Sequence, residues 1–162
     1  LLSLLSGSDE EVRGYMQRLS ETGKYTVSDR VLRAVQAEFS CGFCTDAQGA
    51  QTIGKTFREK QYLLDTHTAV ACTVLDAYRA ETGDETLTVV ESTASPFKFC
   101  ASVLDALGAA EHAPGTGVLG QLTAETGRPA PKPLASLAGK PVRFGQITDK
   151  ADMRAVVAEF LR

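Results

Sequence analysis

The most constraining stretch of this sequence is a short apolar run followed at once by a helix start. Residues 86–91 are β-branched and apolar over the length of a buried strand. Ser95 and Pro96 follow, and a serine N-cap with proline at the first helical position is typical of the residue where a helix begins. The stretch therefore predicts a strand that passes into a helix through residues 92–94.

Turns of this kind are places where α/β proteins bind ligands. In open α/β sheets, ligands lie outside the carboxyl ends of the strands, where helix N–H groups favour anions. Thr93 and Ser95 would put hydroxyls there, and Lys98 would put an ammonium group one turn into the helix. The simpler interpretation is that Ser95 only caps a helix and that Lys98 is a solvated surface charge. One such turn is weak evidence by itself.

The order of the predicted elements favours an α/β fold. Helices are predicted from capping residues and apolar periodicity, and short strands from apolar runs between turns. Alternation of helix and strand implies parallel strands with crossover helices, so we expect a three-layer αβα architecture with a mainly parallel sheet. The predicted strands are residues 24–27, 86–91 and 141–144, and residues 39–44 are predicted to be a strand or an extended turn.

Two of the predicted helices carry specific packing expectations. The helix over residues 67–81 has small side chains on successive turns and should be central, because small residues let another element approach closely. The last helix, capped by Thr148 or Asp149, should turn four apolar residues toward the core, namely Met153, Val156, Val157 and Phe160.

Composition excludes several classes of protein. The chain has 162 residues, 43% of them hydrophobic and 23% charged, which suits one globular domain. The net charge is −3, without a basic block, so a nucleic-acid partner is not expected. The apolar run at residues 1–5 is neither a signal peptide nor a membrane span. Because this run opens the chain without a methionine or a capping residue, we interpret the sequence as a piece of a longer polypeptide.

The four cysteines are too sparse for a disulfide scaffold, so reduced thiols in the cytoplasm are expected. Cys41 and Cys44 form a C-x-x-C pair, but a zinc ribbon needs a second pair, and Cys72 and Cys100 lie far apart in predicted helices. A thioredoxin-type pair would sit at a helix N-terminus, whereas this pair precedes the predicted cap. We expect packed cysteines and no metal site. A thiol oxidoreductase is the less favoured alternative.

A second helix start carries titratable groups. Asp65, Thr66, His67 and Thr68 follow one another there, and the helix dipole favours an anion such as Asp65 at that end. The simpler interpretation is a capping aspartate beside a histidine that merely packs. Two such turns in one chain, this one and the one at Thr93, favour a shared ligand crevice.

Three segments resemble those of the threonine synthase family. Residues 64–71, Leu-Asp-Thr-His-Thr-Ala-Val-Ala, resemble the family's D-P-H-T-A-V-A segment, and residues 92–99, Ser-Thr-Ala-Ser-Pro-Phe-Lys-Phe, resemble its T-A-S/H-P-x-K-F segment. Residues 39–44, Phe-Ser-Cys-Gly-Phe-Cys, resemble its F-S-A-G-F-C stretch. The segments occur in the family's order and at similar spacing. The resemblance covers residues 1–108 well and the proline-rich end loosely, and it matches only the family's carboxyl-terminal part.

The resemblance implies part of a fold-type II pyridoxal-phosphate enzyme that converts O-phospho-L-homoserine and water into L-threonine and phosphate. In the family, the threonine of T-A-S-P hydrogen-bonds the pyridine nitrogen of the cofactor, and that threonine falls on Thr93. A neutral hydroxyl leaves this nitrogen largely unprotonated. Four further residues are expected to contact the substrate or to support the residues that do, namely Lys98, Ser95, Asp65 and His67. Thr66 stands where the family usually has proline, which should loosen the turn before His67.

The larger departure is the lack of a match for the family's Schiff-base lysine, carried in an S-F-K-D-type segment, and for its glycine-rich phosphate cup. We therefore expect no catalytic residue in this chain, no activity of the chain alone, and a partner in the amino-terminal part of the same enzyme. Residues 1–108 would be the carboxyl-terminal α/β part of the catalytic domain. Residues 109–162 would be a proline-rich arm whose terminal strand and helix close that domain. The alternative is a free-standing ligand-binding or interaction module without catalysis. The sequence does not determine the oligomeric state.

Overall fold

The computed structural model describes residues 1–161, and within them helices form without a sheet. Helix accounts for 58% of the structure and strand for 0%, so the expected three-layer αβα architecture with a parallel sheet is wrong. A 3-10 turn, Pro96–Lys98, lies between the fifth and sixth helices. The α helices are α1 (Leu2–Ser6), α2 (Asp9–Thr22), α3 (Asp29–Glu38), α4 (Asp46–Lys60), α5 (Thr66–Thr82), α6 (Cys100–Leu107), α7 (Gly117–Thr126), α8 (Lys132–Ala135) and α9 (Met153–Phe160).

The three segments predicted as strands are connections between helices, and so are residues 39–44, which were predicted as a strand or an extended turn. A strand needs a neighbour that takes its backbone hydrogen bonds, and β preference reflects packing against such neighbours more than an intrinsic backbone property. Leu87 and Val89, which were predicted to be buried, are 93% and 85% exposed. Val142 and Phe144 are also exposed. The apolar patterns are real, but nothing within residues 1–161 pairs with them.

Helix starts follow the capping residues closely. The Ser8 side chain accepts a hydrogen bond from the Glu11 N–H at the start of α2. Thr45 forms a reciprocal capping box with Gln48 at the start of α4. These caps satisfy N–H groups that have no partner inside the helix. Ser28 also precedes its helix, but its hydroxyl donates to Glu11 instead of capping α3.

The first three helices pack together around two fully enclosed side chains, Tyr15 and Val31. The Tyr15 ring stacks on Tyr25 with centroids 5.3 Å apart, and its hydroxyl accepts a hydrogen bond from the Ser28 N–H at 3.0 Å. Arg30 on α3 donates to the carbonyls of Leu5 and Ser6 on α1.

The main core lies among α4, α5, α6 and α7. Helix α4 packs against both α5 and α6, and α6 also packs against α7. The prediction that α5 is central is confirmed only for part of the helix: Ala69 is fully buried, while Val70 is exposed. The buried core cluster consists of Ile53, Leu64, Ala69, Phe97, Cys100, Val103, Leu104 and Leu122.

The proline-rich segment contributes to that core through Leu122 on α7, which is completely buried. The last helix, α9, does not contribute to that core. Met153, Val157 and Phe160 on α9 are exposed, the last at 82%, so the expected inward face is wrong. Amphipathic spacing indicates a helix, but burial of its apolar face requires a surface for that face to pack on.

Candidate functional site

The start of α5 is organised around the side chain of Asp65. Its Oδ1 accepts hydrogen bonds from the His67 N–H at 2.9 Å and from the Thr68 N–H at 3.3 Å. Asp65 is only 1% exposed. Thr66 occupies the first helical position, which is also the favoured position for proline in a helix. The threonine that replaces the family's proline therefore leaves the helix start intact.

The second carboxylate oxygen of Asp65 joins α5 to the connection that follows it. Asp65 Oδ2 accepts a hydrogen bond from the Thr68 hydroxyl and lies 3.5 Å from Ser92 Oγ. Thr68 Oγ1 and Ser92 Oγ are 3.1 Å apart. Two hydroxyl groups and one carboxylate oxygen thus form a closed cluster between the two predicted ligand turns.

These contacts decide the ionisation of Asp65. Burial acts to raise its pKa, but hydrogen bonds from the Thr68 hydroxyl and from the His67 and Thr68 N–H groups, together with the nearby His67, outweigh burial and hold the pKa below its usual range. A carboxylate that accepts several hydrogen bonds is stabilised in its charged form. Asp65 is therefore a buried, ionised acceptor.

The turn that carries Thr93 is held at its far end by the core. Phe97 is buried, and the Ser95 side chain accepts a hydrogen bond from the Phe97 N–H at 3.3 Å. The helix predicted to begin at Ser95 begins instead as a single 3-10 turn, and α6 starts at Cys100. Thr93 is exposed between these attachments, so its hydroxyl is accessible to a ligand.

His67 and Lys98 both lie close to the ring of Phe99. The His67 ring lies 5.0 Å from the Phe99 ring, and Lys98 Nζ lies 6.0 Å from the same ring centre. Both functional groups are exposed, and the ion pairs found within residues 1–161 do not include Lys98. The ammonium group of Lys98 is therefore accessible to a ligand as well as to solvent.

Ser95 and His67 line different cavities. His67 lines one of about 530 Å³ together with Cys44, Ser102 and Asp105. Ser95 lines another of about 330 Å³ together with Arg128 and other residues. The structure thus brings Asp65 to Ser92, the residue before Thr93, but it separates Ser95 from the cavity that His67 lines.

Sequence reasoning grouped Thr68 with Asp65 at one helix start, but it did not single out Ser92. Thr68 follows Asp65 by three residues, the spacing at which an N-cap side chain meets the helix, so half of the cluster has a local signal. Ser92 lies 24 residues beyond Thr68. Only the tertiary fold brings these two hydroxyls together.

The four cysteines are free thiols. Burial raises the pKa of the Cys72 thiol, with the charge of Asp76 acting in the same direction, and burial also raises the pKa of Cys100. A thiol with a raised pKa is a poor nucleophile at neutral pH. Within the described residues, no group of three or more histidine, cysteine or acidic side chains is arranged to hold a metal ion. None of the described helices is long and apolar enough to cross a membrane.

Comparison with known protein families gives one clear match. The family model described as "Threonine synthase, C-terminal" matches residues 68–158, more than half of the chain. The threonine synthase of Saccharomyces cerevisiae is 29% identical in an alignment of 113 residues that covers 64% of this chain and 22% of that protein. The Homo sapiens protein named threonine synthase-like 1 is 26% identical in an alignment of 107 residues that covers 65% of this chain and 14% of that protein.

Solved structures give a consistent result. The pyridoxal-phosphate-bound threonine synthase of Brucella melitensis matches with a TM-score of 0.59 at 34% identity, over 78% of this chain and 26% of that one. The threonine synthase from yeast shares the fold, with a TM-score of 0.70 over 94% of this chain and 29% of that one, at 24% identity. The chain spans less than a third of each of these proteins.

Proposed function

Since this chain belongs to the threonine synthase family, we propose that it is the carboxyl-terminal part of a pyridoxal-phosphate-dependent lyase. The complete enzyme would convert O-phospho-L-homoserine and water into L-threonine and phosphate, in the biosynthesis of threonine. The observation that carries the proposal is the accessible Thr93. It follows Ser92, which contacts Thr68 and Asp65, and it lies on a turn whose sequence matches the family. A cytoplasmic location is part of the proposal, supported by the four free thiols.

The residues around Thr93 fit one edge of the cofactor. A pyridine nitrogen accepts one hydrogen bond, and Thr93 offers an exposed hydroxyl that can donate it. Pyridoxal phosphate, when bound, supplies an electron sink for negative charge that develops on the substrate. Thr93 would orient the ring and, as a neutral partner, would leave its nitrogen largely unprotonated. The relative from Brucella melitensis, whose structure contains this cofactor, supports pyridoxal phosphate as the cofactor of the complete enzyme.

We propose that the exposed side chains near Phe99 bind the substrate. Lys98 and His67 both lie close to the Phe99 ring, and their polar groups are exposed. An ammonium group near the leaving phosphate would stabilise its charge. Ser95 would act indirectly, because its hydroxyl already caps the 3-10 turn.

We propose that the remainder of the site comes from the amino-terminal part of the same enzyme. The chain covers 22% of the yeast threonine synthase and 14% of the human relative, and no lysine here matches the family's cofactor-bearing segment. The exposure of Leu87 and Val89 supports the proposal that another part of the enzyme covers this segment, because neighbouring large apolar side chains seldom both face water. We further propose that residues 1–108 and 109–162 belong to one domain, which the burial of Leu122 against α6 supports.

The test compares the 162-residue chain with the complete polypeptide that contains it. We expect the complete polypeptide, supplied with pyridoxal phosphate, to form threonine and phosphate from O-phosphohomoserine. We expect the chain alone to form neither and, after borohydride reduction with added cofactor, to carry no stoichiometric label on a lysine. Threonine made by the chain alone would overturn its assignment as an inactive part. A complete polypeptide that neither binds the cofactor nor turns over would favour the non-catalytic module instead.

A further inference from the structure

We propose that Asp65 is a positioning residue that holds Thr93 ready for the cofactor through the hydroxyls of Thr68 and Ser92. This inference rests on the proposed role of Thr93. Of the two roles that the sequence left open for Asp65, contact with the substrate and support of the residues that make such contacts, it selects the second. Asp65, Thr68 and Ser92 are called the Asp65 cluster below.

Asp65 is poorly placed to touch a ligand. Its side chain is buried, with 1% of the residue exposed. Both of its oxygens have partners: Oδ1 accepts two N–H groups at the start of α5, and Oδ2 faces two hydroxyls. A buried carboxylate with this many donors is stable in its charged form. Its influence on a ligand must therefore pass through the groups that it holds.

The hydroxyl of Ser92 is the link from that carboxylate to the ligand turn. Ser92, Thr93 and the preceding Glu91 are exposed, so apolar packing does not restrain this part of the connection. The 3.1 Å contact of Ser92 Oγ with Thr68 Oγ1 and its 3.5 Å approach to Asp65 Oδ2 tie the chain to α5 at this point. Phe97 ties the other end of the turn to the core.

Thr93 directly follows Ser92, so restraint at Ser92 limits the space that the Thr93 hydroxyl can sample. Consecutive Cα atoms are separated by a fixed distance of about 3.8 Å. Ordering a contact group before the ligand arrives removes part of the entropy cost of binding. The Asp65 cluster should therefore increase cofactor retention without any direct contact.

The decisive variant is Ser92→Ala, because it cuts this link and leaves the cap of α5 intact. The matched control is Ser136→Ala, at the residue directly after α8, where the lost hydroxyl donates to the Pro133 carbonyl at 3.0 Å. In the 162-residue chain, the NMR order parameters of the Thr93 and Ala94 amides should fall in Ser92→Ala, because the turn samples more conformations without the Ser92 hydroxyl. They should not change in Ser136→Ala. Equal order parameters in Ser92→Ala and the parent would overturn the proposal, whatever Thr93 binds.

The second measurement is a double-mutant cycle in the complete enzyme. Ser92→Ala should weaken pyridoxal phosphate binding about two- to tenfold. The same change made in a Thr93→Val background should have little further effect, because residues that act through one another are not additive. Additive losses would overturn the proposal. If Thr93→Val alone leaves cofactor binding unchanged, the proposed function of Thr93 fails, and the order parameters still decide whether Ser92 orders the turn.

Discussion

Gly54 on α4 lies directly against the backbone of Ala106 on α6. A Cβ built on Gly54 would lie 2.6 Å from the Ala106 carbonyl oxygen, closer than nonbonded atoms approach. This contact sets the separation of α4 and α6. The same two helices carry Ile53 and Ser102, which line the cavity beside His67, so the glycine helps to shape the candidate site.

We expect Gly54→Ala to lower the free energy of unfolding by about 1 to 3 kcal/mol, because α6 must move away from α4. Gly120 on α7 offers the matched control, since a Cβ there meets nothing within 4 Å. Gly120→Ala should stabilise the chain by up to about 1 kcal/mol through its better helix propensity. Urea unfolding of both variants measures the difference. Equal stability of the two would mean that the helices are not in close contact at Gly54.

Thr93→Val in the complete enzyme should weaken cofactor retention and slow turnover by about an order of magnitude or more. The change removes a hydrogen bond at nearly constant volume, and a loss of about 1.4 kcal/mol corresponds to tenfold in rate. Cofactor dissociation and threonine formation are the measurements. Thr116→Val is the control, because Thr116 precedes α7 without a side-chain cap bond. Parent-like retention and rate in Thr93→Val would contradict the assignment.

Lys98→Met should raise the Michaelis constant for O-phosphohomoserine and weaken inhibition by inorganic phosphate. The exposed ammonium group beside Phe99 would lose its attraction for the phosphate. Thermal stability should change little, because an exposed charge contributes well under about 1 kcal/mol. Lys140→Met, at another exposed lysine, should leave both constants unchanged. Normal phosphate inhibition in Lys98→Met would remove Lys98 from the site.

Asp65 should make the fold sensitive to acid. Its pKa is lower in the folded chain than in an unfolded one, so its stabilising contribution is present above the unfolded pKa of about 4 and is lost as the pH falls through the folded pKa. His67 faces the same carboxylate, with Nδ1 3.4 Å from Oδ1. Asp65→Asn can keep the cap through Oδ1 but removes the charge.

Urea unfolding at about pH 7 and about pH 3 tests this dependence. The loss of stability between the two conditions should be smaller in Asp65→Asn than in the parent. Some loss should persist, because the pKa values of Glu11 and Asp84 are also lowered. Asp65→Ala should cost about 0.5 to 2 kcal/mol at neutral pH through the lost cap. An unchanged acid dependence in Asp65→Asn would show that this carboxylate does not govern it.

The sequence by itself determined the helices and the two ends of the candidate site. Ser8, Thr45 and Asp65 place three helix starts because a capping side chain meets N–H groups within three residues of itself. The segments around Asp65 and Thr93 also predicted the family, which the match over residues 68–158 confirms. Such signals are local, so they can be read along the chain.

The tertiary structure decided what depends on distant neighbours. The runs at residues 86–91 and 141–144 have strand-like patterns, yet they form no sheet within residues 1–161, because a strand exists only with a partner for its hydrogen bonds. The contact of Thr68 with Ser92 joins positions 24 residues apart, and both hydroxyls lie against the buried carboxylate of Asp65. Pairing and burial are properties of the assembled chain, and one segment's residues do not specify them.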